Sequence, residues 1–366
     1  MAAAAELQPL VGQIRTIADW ESLLDDAQID AVIVARGSDH ELRTEQLRKL
    51  TQVEKPVLAS HPVVDSMLAY YELDMIRRET GAPLIPNLAR RKHPAVEALA
   101  DVVRQGGDSP IGKVDHLAIE RRVASPTREN VGQEFARDVD LARAVAGDMT
   151  RLGAMAGLPA APNFASLGVQ MSGPQGIDAR WSVIPVQSAG GARLTLTGPR
   201  GRATVELLEA GLPWTLECVT GDRAEKKEFP SWDQGASALD DLATVINGGK
   251  PSADWVDACR AIELTETIDL SLKRSRTVEL YYEDFTEDAT FKGTMASVGC
   301  GLLILTILVL GMAGIAEQMK IPYVGAWRYV LLALFVVFLF MQLIMLTTGK
   351  RRAADLAGDD HSPVGS

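Results

Sequence analysis

The stretch Asp30–Ala35 reads DAVIVA, and every residue after the first is apolar. A strand with one wet face alternates polar and apolar residues. An unbroken apolar run belongs to a strand covered on both faces, as in a parallel sheet between helices. The chain on either side keeps that rhythm. A short helix is expected at Trp20–Asp25, before the first clear strand. Glu41–Thr51 has helical spacing, and Pro56–Ser60 holds a second short strand (VLA). Val63–Thr80 predicts a helix ended by Gly81. Ala82–Pro86 (APLIP) is a third strand, and Pro94–Gln105 a further helix. Strand–helix alternation implies a parallel sheet with right-handed crossovers. Ile29–Ala35, Val57–Ala59 and Pro83–Ile85 are therefore expected side by side, with Ile33 buried. Leu68 and Met75 are expected in the core.

The pattern changes after Gly106. Lys113–Arg122 (KVDHLAIERR) alternates like a half-exposed strand, and Glu134–Met155 predicts a helix. Strand-like runs follow at Ala165–Met171, Arg180–Gln187, Ala192–Thr197, Ala203–Glu209 and Trp214–Thr220. Their spacing indicates a largely antiparallel sheet. Ala236–Asn247 and Asp254–Lys273 close this region as helices, the second capped by Ser252 or Asp254. The fold class is thus α/β. A partial Rossmann-like domain (1–108) precedes an α+β domain with a largely antiparallel sheet (109–282).

Two long uncharged stretches follow. Gly293–Ala316 is bounded by Lys292 and Glu317, and Tyr329–Gly349 by Arg328 and Lys350. About 20 apolar residues in a helix cross the hydrocarbon core. A buried helix of a soluble domain would normally carry a polar face. A linker (283–292), a two-helix transmembrane hairpin (293–349) and a disordered tail (350–366) are expected, so the bilayer is one expected partner. Lys273, Arg274, Arg276 and Lys292 precede the hairpin, and Lys350, Arg351 and Arg352 follow it. The loop between the spans carries only Lys320 and Arg328. Basic residues favour the cytoplasmic side, so domain and tail are expected there. Met1–Arg15 has no basic n-region and does not read as a signal peptide. The Tyr281–Phe285 cluster (YYEDF) suits an interfacial belt or domain edge.

The net charge of −11 argues against nucleic acid as a partner, since phosphate binding needs a basic face. The three cysteines, Cys218, Cys259 and Cys300, show neither metal spacing nor a disulfide framework. No metal site is expected. A small-molecule or protein ligand, and a homo-oligomer, are compatible with the chain.

Taken in order, several segments resemble the Gfo/Idh/MocA family of NAD(P)-dependent oxidoreductases, over roughly residues 18–280. Asp19–Leu24 (DWESLL) with Ile29–Ala35 looks like an acidic helix and the fourth Rossmann strand. Pro86–Leu99 (PNLARRKHPAVEAL) looks like the family's N-x-x-R-R-x-x-P segment. Ile111–Arg122 resembles the strand opening the substrate domain, and Arg137–Gly147 (RDVDLARAVAG) its interdomain helix. Leu196–Leu207 is similar to the sheet, and Trp255–Leu280 to the last helix and C-terminal strand. The resemblance implies a nicotinamide cofactor and a sugar, polyol or related small-molecule substrate.

The departures cluster at the chemistry. The family places the cofactor pyrophosphate on a Gly-rich turn and helix N-terminus, and this chain has no G-x-G-x-x-G. It reads as beginning partway through that unit. A misplaced start or fragment and a genuine loss both fit. A literal EKP at Glu54–Pro56 precedes its strand, whereas the family motif follows it. The matching position is Ser60-His61-Pro62, which puts His61 where the family has lysine. Imidazole can still act as a base. The family's D-x-G-x-H-x-x-D aligns with Gln133–Asp140. Gln133 replaces the aspartate, Phe135 the glycine and Arg137 the histidine, and only Asp140 is kept. Arginine stays protonated and cannot take a hydroxyl proton.

His61 and Asp140 are the catalytic candidates. Arg36, Arg90 and Arg91 are the candidates for a cofactor phosphate. The expected function is a membrane-anchored, degenerate oxidoreductase-like module binding a ligand or protein, with no cofactor predicted for the chain as written. The alternative is an active NAD(P)-dependent dehydrogenase whose cofactor motif is missing from this chain.

Overall fold

The computed structural model describes residues 17–280, apart from 18, 38, 158–162, 189 and 209–211. The chain divides into two units, Met1–Tyr281 and Tyr282–Ser366. The second lies wholly outside the described residues, and with it the segments expected as linker, hairpin and tail. Among the described residues no helix is long and apolar enough to cross a membrane.

Strands β1 (Val32–Val34), β2 (Val57–Ser60) and β3 (Leu84–Asn87) pair in parallel in that order, as the apolar runs require. Helix α1 (Ser22–Asp25) precedes β1. Helices α2 (His40–Gln52), α3 (Met67–Thr80) and α4 (Pro94–Arg104) follow the three strands in turn. The start of α3 lies four residues beyond the expected Val63. The Val63 N–H donates to Tyr70 Oη at 2.8 Å instead of entering a helix, and Ser66 supplies the cap. Gly81, at φ 74°, ends it.

One face of this sheet packs Val34, Val57, Ala59 and Leu84 against Leu47, Leu50, Tyr70 and Leu73. The other packs Leu58 and Ile85 against Ala238 and Leu242 of helix α6 (Gln234–Ile246). Three residues expected inside are outside. Ile33 is 60% exposed, Leu68 79% and Met75 71%. Ile33 shares its face with Leu58 and Ile85, but β1 is the edge strand and α6 packs on its neighbours. Leu68 and Met75 sit on the far side of α3 from Tyr70 and Leu73, because a helix turns once every 3.6 residues.

The second sheet has nine strands in the order β11-β10-β9-β8-β4-β7-β6-β5-β12. They are β4 (His116–Val123), β5 (Arg151–Met155), β6 (Gly168–Ser172), β7 (Asp178–Pro185), β8 (Ala192–Gly198), β9 (Gly201–Leu207), β10 (Trp214–Thr220), β11 (Arg223–Phe229) and β12 (Val278–Glu279). Neighbours run antiparallel except β4 and β7. The expected alternation holds in β4, where Leu117, Ile119, Arg121 and Val123 are buried.

The helix expected over Glu134–Met155 is two elements. Thr127 caps α5 (Arg128–Ala146), Gly147 ends it at φ 82°, and β5 begins four residues later. Strand β11 (RAEKKEF) was not expected from the sequence, for only Phe229 is buried in it. An edge strand tolerates such charge.

Helix α5 ties the two sheets together. Asp138 is fully buried and pairs with Arg121 of β4. It also accepts from Trp181 Nε1 at 2.9 Å. Phe135 meets the Trp181 ring edge-on at 5.2 Å. Arg143 reaches Asp257 of helix α7 (Trp255–Arg274) at 3.1 Å, and α7 opens with a capping box of Asp254 and Asp257.

Candidate functional site

Ligands of open α/β sheets collect beyond the carboxyl ends of the strands. A cavity of about 630 Å³ opens there. Arg36 follows β1, Ser60 and His61 end β2, and Asn87, Leu88 and Arg90 follow β3. Arg121 to Ser125 enter from β4, and Asn130, Glu134, Arg137 and Asp140 from α5. Trp214, Trp232 and Leu212 line the remainder. The structure thus gathers Arg36, His61, Arg90, Arg137 and Asp140 around one space. Gln133 and Arg91 are absent from this lining. Lys55 of the literal EKP is also absent, and it donates to the Asp26 and Ile29 carbonyls at the opposite end of β2.

His61 is buried and positioned from two sides. Arg43 of α2, itself buried, donates to the carbonyls of Ser60 (2.7 Å) and Pro62 (3.2 Å). His61 Nε2 lies 3.2 Å from the Ala136 carbonyl. A carbonyl only accepts, so Nε2 carries the proton and Nδ1 the lone pair. Nδ1 is buried with no partner. Burial pushes the imidazole down to about 3, and Arg137, Arg91 and Arg143 push in the same direction. A ring in this state neither takes a proton near neutral pH nor offers its lone pair to the cavity.

Asp140 is similarly committed. Arg91, on the single turn Ala89–Lys92, donates to both its oxygens and pairs with Asp257 at 3.1 Å. Burial opposes the charge on Arg91, but Asp140 and Asp257 leave its pKa raised. Arg137 donates to the His61 carbonyl at 3.2 Å and to Glu134 at 3.1 Å. Gln133 donates to Glu129 at 3.3 Å, and its Oε1 is buried without a partner.

His93 and its aromatic neighbours were not among the site residues expected from the sequence. His93 caps α4, its Nδ1 accepting from the Ala95 N–H at 3.1 Å. The ring stacks on Trp214 at 3.8 Å and meets Trp232 edge-on at 5.4 Å. Burial, with Arg90 adding to it, pushes His93 down to about 4. The signal was present: a histidine directly before the proline of a helix start occupies the N-cap position.

The cavity wall is cationic. Arg121 is paired with Asp138 and Glu134, Arg122 with Glu206, and Arg137 with Glu134. Arg90 has no hydrogen-bonded or ion-paired partner among the described residues. Burial lowers its pKa, Asp138 and Glu134 oppose that, and Arg121 and Arg137 add to it. Arg36 stands at the exposed mouth, lowered by partial burial and by Arg137. Among the described residues no group of three or more His, Cys, Asp or Glu is arranged to hold a metal.

A dinucleotide's pyrophosphate needs a free helix N-terminus. The Asp39 carboxylate caps α2 by accepting from Leu42. Ser66 caps α3, and the Met67 N–H already donates to Glu266. His93 caps α4. Each of these three starts already has a side-chain cap.

No protein-family model matches the chain, and no curated protein matches it by sequence. Solved structures do match. One is an oxidoreductase from Agrobacterium radiobacter in complex with NAD+, L-tartaric acid and magnesium (TM-score 0.59, 17% identity, 75% of this chain and 87% of that one). Another is an aldose-aldose oxidoreductase from Caulobacter crescentus complexed with glycerol (0.63, 16%, 76% and 89%). A third is a 3-ketoreductase from Actinomadura kijaniata in complex with TDP-benzene and NADP (0.62, 20%, 73% and 85%). All three are oxidoreductases or reductases by description, and the chain shares their fold.

Proposed function

We propose that this chain is a Gfo/Idh/MocA-like module that binds a ligand in the interdomain cavity and no longer transfers hydride. The observation that carries this reading is the state of His61. Its Nε2 donates to Ala136, its Nδ1 is buried without a partner, and the next residue that would serve as a base is Arg137. Both carboxylates on the wall, Glu134 and Asp140, are paired with arginines. A hydroxyl entering this cavity meets donors and no unengaged acceptor base. The two uncharged C-terminal stretches support a tether to a bilayer, and the basic residues flanking them favour domain and tail on the cytoplasmic side. Labelling of Ser366→Cys and Tyr323→Cys from outside intact cells tests the tether. The loop cysteine should react and the tail cysteine should not.

The second reading is an active NAD(P)-dependent oxidoreductase on a sugar, polyol or related molecule. What favours it is that fold neighbours were solved with NAD+ and NADP. The deciding assay incubates the full chain with NADH or NADPH and a panel of ketoses and keto acids, and with the oxidised cofactors and polyols. Turnover above the no-enzyme control supports the second reading and contradicts the first.

A further inference from the structure

We propose that the cavity takes a small organic dianion, a phosphate monoester or a dicarboxylate, with its charged end at Arg36, Arg90 and Arg137. The inference rests on reading the cavity as a ligand-binding site. Of the five arginines on the wall, three are matched by carboxylates: Arg121 by Asp138, Arg122 by Glu206 and Arg137 by Glu134. Among the described residues Arg36 and Arg90 form no ion pair, and Glu134 favours both charges only at longer range. Arg137 lowers the pKa of both, so its guanidinium repels each of theirs.

A cation in a partly desolvated wall without a partner is unfavourable, and a bound anion relieves that cost. Two guanidinium groups without an ion-pair partner match a dianion. Guanidinium is planar and fits carboxylate and phosphate oxygens in pairs. The whole chain carries −11, so the positive wall is a local feature and no property of the overall charge. A volume of about 630 Å³ suits a small ligand and leaves room for a body beyond its charged end. Trp214 and Trp232 supply apolar surface to the same cavity.

The test is calorimetric titration of the full-length chain in detergent at low ionic strength, with glucose 6-phosphate, succinate and glucose as probes. Both dianions should saturate with dissociation constants below about 1 mM, and glucose should not. Arg90→Gln and Arg36→Gln should each weaken dianion binding about tenfold or more, and Arg90→Lys should recover part of the loss. Added salt should weaken it further. Arg90 has no partner to lose, so unchanged melting of Arg90→Gln separates binding from folding. Dianions that bind no tighter than glucose, or variants that bind like the wild type, overturn the proposal. A tight NADH isotherm in the same preparation would count against the non-catalytic reading and leave the anion result to be judged on its own data.

Discussion

Arg137 donates through Nε to the His61 carbonyl oxygen at 3.2 Å, while the His61 ring donates to the carbonyl of Ala136, the residue before Arg137. The loop after β2 and helix α5 are thereby stitched in both directions. Arg137 acts here as a structural clamp. Arg137→Ala should cost about 1 kcal/mol, the discounted worth of a half-exposed charged hydrogen bond. A melting temperature lower by a few degrees is expected. No change in melting would mean that the clamp carries no weight.

The buried pair behind the cavity is a stronger case. Asp138→Ala leaves Arg121 buried beside only Glu134 and strips Trp181 Nε1 of its acceptor. Removing one partner of a buried pair costs about 3–5 kcal/mol. Chemical denaturation should show that loss, and a variant within about 1 kcal/mol of wild type would contradict the assigned role.

Stability should fall on mild acidification. The fold holds His61 neutral down to about 3 and His93 down to about 4, whereas unfolded histidine takes up its proton near pH 6.5. Below that value the unfolded state binds more protons, so the contribution of each histidine is full above pH 6.5. It is lost as pH falls toward about 4 for His93 and about 3 for His61, at up to about 1.4 kcal/mol per pH unit for each. Denaturation at several pH values should give a shallower slope for His61→Asn than for wild type. Equal slopes would show that His61 is not held neutral.

The edge of the parallel sheet supplies a paired control. Ile33 and Leu58 are register partners on one face, but Ile33 is 60% exposed and Leu58 only 3%. Ile33→Asp should change stability by no more than about 0.5 kcal/mol. Leu58→Asp should cost several kcal/mol, because it buries an unpaired carboxylate. Comparable losses in both variants would place a covering element over Ile33.

The same pair shows where sequence reading succeeds and stops. Composition and period located the three parallel strands, and alternation in β4 located the second sheet, because burial imposes those patterns locally. Which face of Ile33 is covered depends on where α6, some two hundred residues later, packs. Nothing within DAVIVA records that. Strand β11 is exposed and charged, so it carries no burial pattern. Its clue was the Gly221–Asp222 turn after β10, where Gly221 takes φ 55° as a tight hairpin requires. In the sequence, motif alignment singled out His61, Arg137 and Asp140, and all three line the cavity. That His61 presents a blocked ring, that Asp140 is held by Arg91, and that Trp214 stacks on His93 are long-range contacts, which only the folded chain reveals.

If the cavity serves binding without a nicotinamide cofactor, neither NADH nor NADPH should bind tightly. NADH and NADPH are titrated calorimetrically into the full-length chain in detergent. The expected result is no saturation below about 10 µM, since the starts of α2, α3 and α4 are already capped by Asp39, Ser66 and His93. A dissociation constant under about 10 µM, or about 7 kcal/mol of binding, would contradict the account and make His61 and Asp140 the first residues to mutate.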